Sequence, residues 1–360
     1  MIDILLLLIG IVLLADILLI VFWLITHSSR SIEPLTQYPL VSILIAARNE
    51  EANISRCLQS LLNQDYPPEK IQIIVGDDGS TDRTYKKTKL LLREKSNCSI
   101  IQIEKPIAHL RGKANVLAQL AHEANGQYLF ITDADIALPK AWITNMLCAV
   151  TENVGIVTGV TAVRGNHWQN LEWTFALAMV KVLHNIGKPV TTMGNNMMVT
   201  KEAYDAIGGY ESIPFSITED LEIFKQVKKK GYDVVQLYEP GVLAYSQPIH
   251  SFGGLMHQRK RWMKGAVQLP FSIVALLIIQ AMYLPLLVSL AWFNIELALA
   301  ILILKTAIQS VFIVLGLKAT KQRTPWLHLL FYEFYSWLIT LSSSLFYLMP
   351  FKVKWKERKY

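Results

Sequence analysis

Leu129-Phe-Ile-Thr-Asp-Ala-Asp135 joins a short apolar, β-prone run to two carboxylates separated by one alanine. A buried strand that ends in acidic residues places their charge at the carboxyl edge of a sheet, where open α/β sheets bind ligands. Two carboxylates there can hold a divalent cation that substrate phosphates and water complete. A polar turn after a strand is the simpler interpretation of a lone Asp-x-Asp, so the surrounding sequence must decide.

Strands and helices alternate around this stretch. Residues 40–47 and 71–75 are apolar runs typical of strands buried on both faces of a parallel sheet, and a third strand is expected at residues 99–104. Asn49, after the first strand, is expected to cap the next helix. The alternation, with polar residues at the carboxyl end of each strand, predicts a doubly wound α/β sheet that binds a nucleotide.

Charged residues from three loops should meet at the carboxyl edge of this sheet: Asp77 and Asp78, Arg111 and Lys113, and Asp133 and Asp135. Carboxylates beside basic residues suit a nucleoside diphosphate with a metal, in which Lys113 would face phosphate charge. The chain lacks G-x-G-x-x-G and G-x-x-x-x-G-K-[ST], so the sequence does not support a dinucleotide dehydrogenase or a P-loop enzyme.

The two ends of the chain are apolar. With 52% hydrophobic residues and a mean hydropathy of +0.32, the chain is more apolar than an ordinary soluble enzyme. Residues 2–25 can cross a bilayer core, and they lack a basic start and a cleavage site, which favours an anchor over a removed signal peptide. The positive charge at Arg30 places the following residues in the cytoplasm.

Three more apolar runs occupy residues 269–293, 295–317 and 326–349. Lys305 lies within the second run and is expected to face a partner or a polar cavity, because a lone charge there is costly. Basic clusters follow the second run (Lys318 to Arg323) and the third (from Lys352). If all three runs cross, the clusters lie on opposite sides, so either the positive-inside rule fails at the tail or one run is interfacial or re-entrant.

Residues 250–267 predict a basic amphipathic helix at a membrane surface. Gln258, Arg261 and Trp262 share one face of it, where they could meet lipid headgroups or serve a function. The net charge of +7 is assigned to a membrane-facing surface, and no nucleic-acid motif is found. The cysteines show no metal or redox spacing.

Five motifs occur in order: residues 41–50, Asp77-Asp-Gly-Ser80, Asp133-Ala-Asp135, Thr218-Glu-Asp220 and Gln258-Arg-Lys-Arg-Trp262. Together they resemble the membrane-bound family 2 glycosyltransferases with a GT-A fold. That group includes cellulose, chitin and poly-N-acetylglucosamine synthases and ceramide glucosyltransferase. The resemblance covers about residues 40 to 265 and the flanking helices.

The resemblance implies roles for individual residues. The general base would be Asp220, with Glu219 beside it in the catalytic motif. The Mg²⁺ or Mn²⁺ ion would be held by Asp135 with Asp133. The diphosphate and the acceptor would contact Gln258, Arg261 and Trp262. The UDP-sugar would be bound by Glu50, Asp77, Asp78, Lys113 and Asp133.

We expect an integral, multi-pass membrane protein, located in the cell membrane if it is bacterial. Its catalytic domain is expected to be cytoplasmic and to have the GT-A fold, which is a doubly wound mixed sheet, with transmembrane helices on either side of it in the sequence. Its parts are expected at residues 1–26 (transmembrane helix), 40–248 (catalytic), 249–268 (interface helix), 269–350 (about three transmembrane helices) and 351–360 (basic tail). The sequence does not identify a partner membrane protein.

The expected reaction is inverting transfer from a UDP-sugar to a lipid or growing glycan. A processive polysaccharide synthase is the main alternative, although such enzymes carry more membrane helices. A nucleotidyltransferase and a non-catalytic nucleotide-sugar-binding protein are less favoured, because the chain lacks a glycine-rich amino-terminal loop and keeps its acidic residues.

Overall fold

The computed structural model describes residues 2–28, 30, 34–356 and 358–359. The strands are β1 Val41–Ala47, β2 Ile71–Asp77, β3 Cys98–Gln102, β4 Tyr128–Asp133, β5 Val154–Thr158, β6 Val160–Val163, β7 Asn196–Thr200, β8 Asp233–Gln236, β9 Leu243–Ser246, β10 Lys354–Trp355 and β11 Arg358–Lys359. The helices are α1 Ile2–Thr26, α2 Ile54–Leu62, α3 Thr84–Leu92, α4 Gly112–His122, α5 Trp142–Leu147, α6 His167–Asn185, α7 Lys201–Ala206, α8 Glu219–Lys229, α9 Phe252–Ala266, α10 Phe271–Ala281, α11 Tyr283–Ala291, α12 Ile295–Ala319 and α13 Trp326–Leu348.

The chain divides into two compact units. The sheet unit contains Ser29–Arg164 and Thr191–Gln247, and the helical unit contains Met1–Ser28, Gly165–Val190 and Pro248–Tyr360. The sequence predicts residues 165–190 to be part of the catalytic domain. In the structure they belong to the helical unit, because α6 packs on α1, α12 and α13.

The sheet unit is built on a seven-stranded sheet in the order β3-β2-β1-β4-β7-β5-β8. The first four of these strands are parallel, β7 is antiparallel to its neighbours β4 and β5, and β8 is parallel to β5. A second, two-stranded parallel sheet pairs β6 with β9. The predicted mixed α/β sheet is therefore confirmed.

Helix packing places the amino end of α4 beside the sheet edge. Val116, Leu117 and Leu120 of α4 are buried in the core with Leu44 and Ile74 of the parallel strands. A side chain at Gly76 of β2 would collide with Val116, so glycine permits the close approach of helix and strand. This packing fixes the position of Lys113, the second residue of α4.

Among the described residues, the helical unit has three helices long and apolar enough to cross a membrane. These are Ile2–Thr26, Phe271–Ala291 (α10 and α11 together) and Ile295–Ala319. α13, where a further crossing was expected, has 23 residues and is not among them. The first helix packs on the other two through Ile9, Val12, Leu287 and Ala298.

Lys305 has the partners that its position requires. Its ammonium group lies 2.9 Å from Asp16 Oδ2 of α1 and 3.4 Å from Glu333 Oε2 of α13. Asp16 also accepts a hydrogen bond of 2.9 Å from Gln280. Lys305 and Asp16 are each 1% exposed, so the cluster is shielded within the helical unit. The expectation that Lys305 faces a partner is confirmed.

Candidate active site

Strand register brings two of the predicted acidic residues to the same edge of the sheet. Strand β1 lies between β2 and β4, with Ala47 opposite Asp77 and Ala46 opposite Asp133. Both carboxylates therefore lie at the carboxyl ends of neighbouring parallel strands, the place where α/β sheets bind ligands. Asp77 is 2% exposed, whereas Asp133 is partly exposed.

Lys113 joins three segments at this edge. Its ammonium group lies 2.7 Å from Asp133 Oδ1 and 2.9 Å from Glu219 Oε1, and it donates to the Gly194 carbonyl over 3.0 Å. An ammonium group has three donors, and these contacts use all of them. Burial alone would lower the pKa of Lys113, but Asp133 and Glu219 hold that pKa above its ordinary value. Lys113 is thus a fixed positive charge between two acidic residues.

Asp220 is held by backbone N–H groups. The amide of Gly194 donates to Asp220 Oδ2 over 2.9 Å, and the amide of Leu221 donates to Oδ1 over 2.9 Å. Burial raises the pKa of Asp220, Glu219 raises it further, and Lys113 and the two amides oppose them. The result is a carboxyl group with a pKa above that of an ordinary aspartate, the direction expected of a general base that works near neutral pH.

A buried asparagine fixes the segment that contains Gly194. Asn196 donates to the carbonyls of Val160 and Val242 over 2.8 and 2.9 Å and accepts from the Trp142 indole over 2.8 Å. Its neighbour Asn195 accepts from Thr132 through its carbonyl, over 3.0 Å. These bonds anchor the start of β7, and so they also hold Gly194 beside Lys113 and Asp220.

The loops after β1 and β2 are tied together. The Asn49 side-chain oxygen accepts from the Thr81 amide over 2.9 Å, and the Asn49 backbone amide donates to the Ser80 hydroxyl oxygen over 3.0 Å. Asn49 therefore does not cap α2, because its side chain is used across the two loops. Arg48 donates to the Asp78 carbonyl, and Gly79 takes the left-handed conformation of the turn, with φ of 66°.

Three acidic residues predicted to bind the donor lie buried in these loops: Glu50, Asp77 and Asp78. Glu50 accepts from the Asn53 amide group over 2.8 Å. Asp77 Oδ2 accepts from the Ser80 amide over 3.2 Å. Among the described residues, buried Asp77 Oδ1 has no hydrogen-bond partner, so it remains an acceptor at the sheet edge.

Arg56 and Cys57 of α2 contact the predicted metal-binding loop. Arg56 donates to the Asp135 carbonyl, and the Cys57 thiol lies 3.6 Å from the Asp133 carbonyl. Burial, followed by Asp135 and Asp133, raises the pKa of the Cys57 thiol, so this cysteine is a neutral core residue. The described residues contain no group of three or more His, Cys, Asp or Glu side chains that could hold a metal.

Gln258, Arg261 and Trp262 lie on α9 in the helical unit. Their neighbour Arg259 forms a two-pronged contact with Glu172 of α6, at 2.7 and 2.6 Å. The Arg259 guanidinium also donates to Gln258 and lies 4.2 Å from the Trp262 ring centroid. The pair Glu172 and Arg259 thus holds two residues of the motif, whose contact with diphosphate or acceptor remains a prediction.

Gly194, Arg56 and Glu172 were not identified from the sequence. Gly194 contacts Asp220 and Lys113 through its own backbone atoms, and Arg56 donates to a backbone carbonyl. Contacts of this kind leave no motif in a single sequence. Glu172 lies 87 residues from its partner Arg259. Its position in a helix rich in aromatic residues was the available signal, and it favoured a packing role.

The fold resembles that of a solved mannosyltransferase. PcManGT from Pyrobaculum calidifontis, in complex with GDP-Man and Mn2+, matches with a TM-score of 0.61 and 19% identity. The match covers 95% of this chain and 96% of that one. The GT-A fold predicted from the motifs is confirmed.

Two curated relatives are glycosyl-transferring synthases. The beta-monoglucosyldiacylglycerol synthase of Nostoc sp. is 27% identical over 237 residues, which are 64% of this chain and 49% of the relative. The poly-beta-1,6-N-acetyl-D-glucosamine synthase of Staphylococcus aureus (strain COL) is 28% identical over 234 residues, 62% of this chain and 54% of the relative. The chain thus spans about half the length of these relatives.

The family model described as Glycosyl transferase family 21 matches residues 4–360. The match includes the sheet unit with its acidic edge and nearly all of the helical unit. The predicted resemblance to membrane-bound glycosyltransferases is confirmed, and the chain belongs to glycosyl transferase family 21.

Proposed function

We propose that this glycosyltransferase transfers a sugar from a UDP-sugar to a lipid or growing glycan at a membrane, with inversion at the anomeric carbon. The observation that carries the proposal is the connected set Asp133, Lys113, Glu219, Gly194 and Asp220 at the carboxyl edge of the sheet. It combines a candidate metal ligand, a fixed cation and a candidate base.

The donor end of this site would be the loops after β1 and β2. Asp77 Oδ1 is a buried acceptor without a partner among the described residues, and an N–H group of a nucleotide base or a ribose hydroxyl would satisfy it. Asp78 and Glu50 lie in the same tied loops. This supports assigning these three residues to the nucleotide.

Asp133 and Asp135 would hold Mg²⁺ or Mn²⁺. Asp133 is the last residue of β4, Asp135 lies two residues beyond it, and both are partly exposed. Carboxylate oxygens are the ligands that these ions prefer. Two protein carboxylates fit a site that the donor diphosphate completes. When bound, the ion would supply positive charge for the departing diphosphate.

In the transfer step, an acceptor hydroxyl oxygen forms a bond to the anomeric carbon as the bond from that carbon to the diphosphate breaks. The hydroxyl proton passes to Asp220, and UDP leaves. Gly194 and Leu221 orient the Asp220 carboxylate for this role. Lys113 is the basic residue of the sheet unit proposed to offset the charge on UDP, and it also holds Asp133 in place.

A lipid acceptor agrees with the apolar helices and with the glycolipid relative, whereas the poly-N-acetylglucosamine relative keeps processive synthesis as the second candidate. Either acceptor fits a catalytic unit on the cytoplasmic side of a membrane, which is the side indicated by the charge at Arg30.

The test uses the full chain in lipid nanodiscs with Mn²⁺ or Mg²⁺, a panel of nucleotide sugars and extracted membrane lipid. UDP release with a lipid-soluble product of one or two sugars is expected, and it should stop when EDTA is added. A long insoluble product would favour the processive alternative. Release of GDP from GDP-sugars, without release of UDP from UDP-sugars, would overturn the proposal that the donor is a UDP-sugar.

A further inference from the structure

Helix α13 is fixed at its amino end to α6. Asn170 donates to Gln322, just before α13, over 3.0 Å. The rings of His167 and Trp168 lie 4.8 and 4.6 Å from the ring of His328 in the first turn of α13. Leu171 of α6 is buried with Tyr332 of α13 and with Leu317 near the carboxyl end of α12.

The carboxyl end of α13 is fixed to α9. Lys260 donates to the carbonyls of Phe346 and Met349 over 3.2 and 2.6 Å, and it is buried rather than facing headgroups as the amphipathic pattern predicted. The last carbonyls of a helix have no partner within the helix, and a cation is favourable beside them. Lys260 of α9 thus caps the carboxyl end of α13.

α6 and α9 are themselves joined. Gln169 of α6 exchanges two hydrogen bonds with the backbone of Ile249, at 2.8 and 3.1 Å. Farther along, Glu172 pairs with Arg259 and the rings of Trp173 and Trp262 lie 5.2 Å apart. Both ends of α13 are therefore attached to one pair of helices.

That pair lies at one membrane face. Asn185, the last residue of α6, donates to the carbonyl of Thr26, the last residue of α1. Asn170, near the start of α6, contacts Gln322, just after α12. Since the carboxyl ends of two candidate spanning helices meet α6, this helix marks a single side, the one that carries Arg30 and the cluster from Lys318 to Arg323.

The free face of α13 is apolar. In this helix, all of whose residues are described, every exposed side chain is a large apolar one. They recur at helical spacing and include Leu327, Phe331, Phe334, Leu338, Leu341 and Leu345. Exposed basic residues flank the helix on both sides, with Lys318, Lys321 and Arg323 before it and Lys352 after it.

From these contacts we infer that α13 does not cross the membrane. It lies along the cytoplasmic interface, with its apolar stripe among acyl chains and its basic flanks at anionic lipid headgroups. The basic tail then stays on the same side as Lys318 to Arg323. This topology satisfies the positive-inside rule at both clusters, and it does not depend on the sugar or the acceptor.

The first test fuses a reporter to the carboxyl end of the full chain. A fluorescent protein that folds in the cytoplasm should fluoresce there, and alkaline phosphatase should be inactive. In a control, alkaline phosphatase inserted after Phe293, between α11 and α12, should be active. An active phosphatase at the carboxyl end, with the same control result, would overturn the inference.

The second test measures depth in vesicles of phosphatidylcholine and phosphatidylglycerol. Single cysteines replace Phe331, Leu338 and Leu345 in a chain whose three native cysteines are changed to alanine, and each carries a fluorophore quenched by lipids labelled at known depths. The first and last positions are about 21 Å apart along the helix. Nearly equal, shallow depths are expected.

The matched control places the same fluorophore at Leu299, Ile303 and Val311, exposed positions of α12. Depths there should differ by many ångströms, because α12 crosses. If the α13 positions instead change depth as steadily as those of α12, α13 is a transmembrane helix and the inference fails.

Discussion

Gly194 and Asp220 lie against each other at the sheet edge: the Gly194 amide donates to Asp220 Oδ2 over 2.9 Å. A Cβ atom on residue 194 would meet the Asp220 Cβ at 2.7 Å. The same residue accepts from Lys113 through its carbonyl. One glycine thus sets the spacing between the proposed base and the cation beside it.

Gly194→Ala should therefore displace Asp220 and lower kcat by about 100-fold, the effect expected of a small misplacement of a reacting group. Binding of UDP, measured by calorimetry, should change less than kcat, because Glu50, Asp77 and Asp78 lie in the loops after β1 and β2 and only Lys113 of the proposed donor residues bonds to Gly194 among the described contacts. Gly253→Ala is the control, since a Cβ there meets nothing within 4 Å. Unchanged kcat in Gly194→Ala would contradict the positioning role.

The pH dependence of kcat should reflect the raised pKa of Asp220. A base must be ionised, so activity should be present above this pKa and should fall as the pH drops through it. The fall should occur at a higher pH than the pKa of ~3.9 of an ordinary aspartate. Glu219→Gln removes a negative neighbour that raises the pKa of Asp220, so the acid limb should move to lower pH. A shift to higher pH would show that Asp220 is not the titrating group.

Replacing one partner of the Glu172–Arg259 ion pair should destabilise the protein more than replacing both partners. Glu172→Leu leaves a buried guanidinium without its carboxylate, a loss of about 3–5 kcal/mol for buried pairs. The double variant Glu172→Leu, Arg259→Met should recover much of the apparent Tm in detergent. Equal losses in the single and double variants would mean that the pair contributes little.

The buried charge cluster of Lys305, Asp16 and Glu333 in the helical unit leads to a similar prediction. Lys305→Met leaves Asp16 and Glu333 buried without their shared cation, so the yield of folded protein should fall sharply. Adding Asp16→Leu and Glu333→Leu should restore it, as measured by size-exclusion chromatography in detergent. If the triple variant behaves no better than Lys305→Met, the loss has another cause.

The parallel half of the sheet could be predicted because its strands are continuous apolar runs that end in polar residues. Asp77 and Asp133 are the last residues of such strands, and β1 lies between the two strands and brings them together. Lys305 could also be predicted to need a partner from its place in an apolar run.

Contacts between distant segments could not be predicted. Asn49 has the right residue type and position for a cap, yet its side-chain oxygen accepts instead from the amide of Thr81, 32 residues away. Lys260 fits the polar face of an amphipathic helix, but the carbonyl end of α13 buries it. The spacing of residues around Asn49 and Lys260 carries no information about these contacts, because their partners are distant in the sequence and come close only when the chain folds.

The proposed role of Asp220 as the base is tested most directly by the UDP-release kinetics of Asp220→Asn beside the unmodified chain, in nanodiscs with Mn²⁺ and the preferred nucleotide sugar. Asparagine retains the shape and can still accept the Gly194 hydrogen bond, but it cannot take a proton at neutral pH. We expect kcat to fall about 10²–10⁴-fold, with donor binding nearly unchanged. An Asp220→Asn protein that binds donor and turns over at the unmodified rate would contradict the proposed role.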